Sequence, residues 1–166
     1  MEKPPLWTFE GFVTPAGNRI VDDWFHDELG EDERDLIRDR IYYLKDVERH
    51  LWRRPGFDKL DGDLNEIRKD VPGGGTIRIY GYFPSGKRHS FVLLEGRYKD
   101  KKNDKAGKRI AEDRLKQIKQ GMGSTHGFNF EERTLKKDSQ GTQGTVTPSQ
   151  LESIGGDCVP DQGDKR

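Results

Sequence analysis

The chain has 166 residues, 30% of them hydrophobic and 36% charged, enough for one domain with a modest core and a remainder that stays outside it. No apolar run approaches the roughly 18 residues of a membrane span, and the stretch from Met1 to Pro5 lacks the apolar centre of a signal peptide. A single cysteine, Cys158, excludes an intrachain disulfide and a multi-cysteine metal site, so a cytoplasmic protein with no membrane partner is expected.

The formal net charge is zero, but the charge is unevenly placed. Residues 1–63 hold 10 Lys and Arg against 16 Asp and Glu, and residues 121–166 hold 5 against 7. Residues 64–120 hold 15 against 7. A basic middle between acidic flanks points to an anionic partner and says nothing of fold.

In chain order, Leu6–Val13 alternates aromatic and polar residues and predicts a strand. Ile20–Leu29 predicts a short helix that Gly30 ends. Glu31–Trp52 predicts a longer one, with Leu36, Ile37, Ile41, Leu44, Val47 and Leu51 along one stripe. Acids crowd its first turn and bases its last, as the helix dipole favours. The two helices should form an antiparallel hairpin on a sheet made of Phe57–Leu60, Leu64–Val71, Thr76–Phe83 and His89–Tyr98. Lys105–Lys119 predicts a final helix with a thin stripe of Ile110, Ala111, Leu115 and Ile118. Beyond Gln120, Gly, Ser, Thr, Gln and Asp dominate. The expected division is a folded domain over 1–120 and a mostly disordered polar tail over 121–166, in which Phe128-Asn129-Phe130 and Val146–Ile154 are the segments able to order on a partner.

The chemistry is expected on the sheet. Alternation places Ile77, Ile79, Gly81 and Phe83 on one face of their strand, against the helices. Arg78, Tyr80 and Tyr82 then face solvent or a ligand. Arg68 stands on the neighbouring strand, on a side that register decides. Lys87 in the hairpin turn, Arg97, and the run Lys99, Lys101 and Lys102 add cations at the ends of the strands. Cations hold phosphates and tyrosines stack on unpaired bases, so the surface suits RNA. RNA cleavage also needs a base, and Lys or Tyr serves if neighbouring cations lower its pKa. His26 and His50 fall on helices, His89 beside the hairpin turn and His126 in the tail, and no P-loop or histidine metal spacing occurs.

Five phrases occur in order: Val21-Asp22-Asp23-Trp24-Phe25, Arg54-Pro55-Gly56-Phe57-Asp58-Lys59-Leu60, Leu64-Asn65-Glu66-Ile67-Arg68, Ile77-Arg78-Ile79-Tyr80-Gly81-Tyr82-Phe83 and Phe91-Val92-Leu93-Leu94-Glu95-Gly96. Together, over residues 6–119, they resemble the RelE/ParE toxin superfamily of type II toxin–antitoxin systems, its phage-derived HigB-like branch above all. The resemblance implies an α+β, RelE-like fold: an N-terminal strand and helical hairpin packed on a small twisted antiparallel sheet, then a C-terminal helix. It implies a metal-independent, ribosome-dependent mRNA endonuclease with no cofactor. A cognate antitoxin, a helix-turn-helix protein, would neutralise it. The family's working positions correspond to Arg68, Arg78, Lys99 and Lys101 for catalysis, with Tyr80, Tyr82 and Lys102 holding RNA; Lys87 and Arg97 join the expected RNA contacts from the charge at the strand ends. The same fold serves ParE-like inhibitors of DNA gyrase, and an inactive prophage-derived binding protein is the remaining alternative.

Overall fold

A computed structural model describes residues 3–99 and 104–131. Strand β1 (Thr8–Val13) leads to a one-turn helix, α1 (Ile20–Asp23), which widens into a π turn over Trp24–Glu28. Helix α2 (Glu31–Asp46) follows, then a short turn at Arg49–Leu51. Strands β2 (Phe57–Lys59), β3 (Asn65–Asp70), β4 (Thr76–Tyr82) and β5 (Ser90–Lys99) come next. Helix α3 (Lys105–Lys119) and strand β6 (Ser124–Gly127) complete the described chain.

The fold is α+β with one mostly antiparallel sheet of six strands, in the order β2-β3-β4-β5-β1-β6. The exception to the expected antiparallel sheet is β1, which runs parallel to β5 with Phe9 beside Phe91. The long connection through α1 and α2 permits this, since a parallel neighbour needs a crossover. Between β3 and β4 the chain turns at Pro72–Gly75. Gly73, Gly74 and Gly75 have φ of 95°, 125° and 93°, a backbone that side-chain-bearing residues rarely adopt.

Both faces of the sheet are covered. On one face lie α1, the π turn and α2, whose Ile37, Ile41 and Leu44 are buried. An aromatic cluster fills the space between: Phe9 stacks on Trp52 at 5.8 Å, and Trp7 lies 4.8 Å from Trp52. Contacts of this kind add roughly 0.5–1.5 kcal/mol beyond their area. The same indoles hold the end of α2, where carbonyls lack helical partners. Trp52 Nε1 donates to Leu44 O at 3.1 Å and Trp7 Nε1 to Val47 O at 2.9 Å. Ile77 and Ile79 face this side, as alternation predicts, and are fully buried.

Helix α3 covers the other face with Ala111 and Leu115. Its start is fixed by Asp104, whose Oδ1 accepts from Gly107 N at 3.1 Å, a side-chain cap on an otherwise orphaned donor.

The domain boundary expected at residue 120 is displaced. Strand β6 pairs antiparallel with β1, Glu10 opposite Gly127. Phe128 and Phe130 are buried in the core, where they contact Phe25, and Phe130 also contacts Phe9. Arg38 Nε donates to Phe130 O at 2.9 Å, and His126 Nε2 lies 2.7 Å from Asp22 Oδ1. The compact unit runs to Phe130, so residues 121–130 belong to it. Composition missed this because two aromatic anchors suffice to dock a polar segment. The rest of the expected tail, 132–166, lies outside the described residues.

Candidate nucleic-acid interface

Three arginines stand abreast across the sheet, Arg68 opposite Arg78 and Arg78 opposite Arg97. Like charges placed directly opposite repel. The next row along the strands supplies the offset: Glu66, Tyr80 and Glu95. Arg78 Nη1 lies 2.7 Å from Glu66 Oε2, and Arg68 Nε 3.7 Å from Glu66 Oε1. Arg97 reaches Glu95 at 3.4 Å and Asp104 at 3.2 Å. From α3, Arg114 Nη1 donates to both Glu95 Oε1 and Leu94 O at 2.7 Å. Four arginines thus interlock with three carboxylates beneath the helix.

The structure corrects the expected open face. Arg78, Tyr80 and Tyr82 do share the face opposite Ile77 and Ile79, but α3 closes over it and all three are buried. The Tyr80 hydroxyl donates to Asp104 Oδ2 at 3.3 Å. Burial, then the charges of Asp104 and Glu66, push the Tyr80 phenol far above its ordinary value. Neighbouring cations therefore do not activate it, and Tyr80 stays protonated at any neutral pH. Tyr82 is likewise pushed up, by burial and then by Glu10. Neither ring presents a face for a base to stack upon.

The cations expected to act together divide into groups. Arg68, Arg78 and Tyr80 meet in one cleft of about 350 Å³, whose rim adds Asp58, Leu60, Glu66, Asp104, Lys105 and Lys108. Arg97 does not line it and is held by its two carboxylates. Lys87 is elsewhere: its Nζ lies 3.1 Å from Glu10 Oε2, toward the hairpin end of the sheet with Tyr82. Lys99 ends β5 opposite Thr76, and Lys101 and Lys102 lie outside the described residues.

Sequence reading missed Lys105, Lys108 and the acids of this cleft. A signal existed. Asp104 precedes a helix whose first turn carries Lys105 and Lys108, three apart and so on one side. Glu66 and Glu95 each stand two residues from an arginine in a strand, which puts acid and base on one face. Lys108 Nζ lies 2.7 Å from Asp61 Oδ2, and this hydrogen bond raises its pKa. The cleft can therefore offer an oxyanion the edge of Arg68, whose side chain is 36% exposed, and the ammonium groups of Lys105 and Lys108. Arg78 sits at its floor with a side chain 5% exposed. Cations around a pocket of this size suit a phosphate. Compared with known proteins, the chain matches no protein-family model and no curated sequence.

Proposed function

We propose that this chain is a RelE/HigB-like toxin that halts translation by cleaving mRNA on the ribosome. The observation that carries the reading is the convergence of Arg68 and Arg78, adjacent in register, on a cleft closed by Lys105 and Lys108. The scissile phosphate sits against Arg68, and Lys105 and Lys108 hold its non-bridging oxygens. Charge that builds on the phosphorane is offset by these cations, held in place before the reaction begins. Glu66, which pairs with both Arg68 and Arg78, holds the two arginines in place, with Arg78 at the floor of the cleft. Tyr80 remains protonated and is a hydrogen-bond donor there, never the base. The Lys99–Lys102 segment contacts the RNA backbone or takes the 2′-hydroxyl proton, and a helix-turn-helix antitoxin covers the cleft.

A second reading is a binding protein without cleavage, whether a gyrase inhibitor or an inactive relative. It is favoured by the ion pairs that occupy Arg78 and Arg97, which leave Arg68 as the arginine most open to a ligand in this cleft.

Induced expression in a bacterium separates the two. The first reading expects growth arrest, new mRNA 5′ ends inside codons, and relief of both by Arg68→Ala. DNA breaks with an SOS response and intact mRNA would give the gyrase reading. Normal growth with retained binding of an antitoxin-like partner would give the inactive one.

A further inference from the structure

Beside the first cleft, across the β2–β3 edge, lies a second of about 420 Å³. Its charged lining is Arg40, Arg54, Arg68 and Lys69, with Asp58 and Asp70. The two clefts share Arg68 and Asp58. The acids are already engaged: Asp58 Oδ2 is 2.9 Å from Arg54 Nη2, and Asp70 Oδ1 accepts from Thr76 Oγ1 at 3.0 Å. Among the described residues, no carboxylate lies within ion-pair distance of Arg40 or Lys69.

Arg40 is held in an unusual way. It projects from α2 and lays its guanidinium over Gly56, where a Cβ would come within 2.5 Å of Arg40 Cζ. Gly56 O in turn accepts from Arg68 N at 2.9 Å, so the slot is fixed to the start of the arginine row. Arg40 Nε is buried there with no hydrogen-bond partner. A buried charged donor without an acceptor is uncommon, because desolvating it is unfavourable and nothing offsets it. The rest of the Arg40 guanidinium lines the cleft, where no described carboxylate neutralises it, so its charge is left for an anion there.

We infer that this second cleft binds a phosphate of single-stranded RNA, next along the strand to the phosphate held at Arg68, with Arg40 and Lys69 as its ligands. The inference rests on the RNA reading of the first cleft. One feature favours a nucleic-acid strand over an acidic peptide. The cations form one track through the shared Arg68, matching a backbone with charge at regular intervals.

The full chain is titrated with a fluorescent oligouridine of about eight nucleotides at several salt concentrations. A polyglutamate peptide of equal charge is titrated in parallel. Arg40→Gln should weaken oligouridine binding about tenfold and lower the salt slope by about 0.7, the loss of one phosphate contact. Lys69→Gln, at a half-exposed position, should do the same and serves in its place if the Arg40 variant fails to fold. Parent affinity and slope in both variants, with a loss in Arg68→Ala, would overturn the second subsite alone. A parent chain that ignores oligouridine would overturn this inference and the RNA reading together. Polyglutamate binding that vanishes in Arg40→Gln would replace RNA by an acidic protein at this cleft.

Discussion

Arg78 and Glu66 form a 2.7 Å ion pair in which each side chain is only 5% exposed. Removing Arg78 leaves Glu66 in a poorly solvated place with only the longer 3.7 Å contact to Arg68. Arg78→Ala should therefore lower stability by roughly 3–5 kcal/mol, while the double change Arg78→Met with Glu66→Gln should cost much less. Urea unfolding of the three proteins checks this; equal losses in single and double variants would show that the pair is not coupled. The consequence for function is direct. Loss of growth arrest in Arg78→Ala would report unfolding as much as chemistry, so Arg68 is the better probe of the cleft.

The π turn after α1 is seated on Gly96. A Cβ there would lie 2.1 Å from Trp24 Cε3, far inside contact distance, and Trp24 is a rigid ring within the core. Gly96→Ala should cost at least about 1–3 kcal/mol through overpacking. The indole can yield only by shifting α1 away from the sheet. A melting temperature unchanged from the parent would mean that α1 moves freely and is not part of the packed unit.

Strands β1 to β5 and α3 were legible because their signals are local. Period-two alternation found the Ile77 and Ile79 face, and the apolar stripe of Ile110, Ala111, Leu115 and Ile118 found the helix Lys105–Lys119. The opposite face was misread because alternation distinguishes apolar from polar and not covered from open. The stripe Ala111 and Leu115 held the missing information. A helix with an apolar side must pack somewhere, and with α1 and α2 already on one face, only the Arg78 face remained. Arg78 and Tyr80 tolerate that burial because Glu66 and Asp104 arrive from other elements. Such pairing is invisible without register. Arg40 was beyond sequence reading for the same reason: its meeting with Gly56 joins a helix to a loop 16 positions on.

Residues 121–130 give a test of the domain boundary. Phe128 and Phe130 are 8% and 2% exposed, and Phe128 N donates to Phe9 O at 3.0 Å. Phe130→Ala should lower stability by about 3–5 kcal/mol, as for other large aromatic truncations in a core. A chain ending at Gln120 should lose more, because it also uncovers the β1 edge. If it melts with the parent, residues 121–130 lie on the fold without contributing to it.

Glu10 ties three strands together and should make stability depend on acid. Its carboxylate accepts from Thr125 at 2.6 Å, Ser90 at 2.9 Å and Lys87 at 3.1 Å. Burial alone raises its pKa, but these bonds together outweigh burial and hold it below the ordinary value. A depressed carboxyl contributes stability above its unfolded value of about 4.3, and that contribution fades as pH falls through the lower folded value. The urea midpoint should thus drop from pH 6 toward pH 3, by less in Glu10→Gln than in the parent. Parallel pH profiles for the two proteins would remove Glu10 from the account.

Tyr80 separates structure from chemistry in the cleft. Its hydroxyl donates to Asp104, which is also held by Arg97 Nε and by Gly107 N, so losing one donor leaves that carboxylate with two. Tyr80→Phe should cost only about 1 kcal/mol and leave the helix start intact. Because the phenol stays protonated far above neutrality, no basic limb of a pH–rate profile between about pH 6 and 9 should move in this variant. Activity kept in Tyr80→Phe makes the ring a packing group beneath α3. Activity lost while oligouridine binding is retained would make Tyr80 the donor to the departing 5′-oxygen, a role that a protonated hydroxyl at the floor of the cleft can fill and an ionised one cannot.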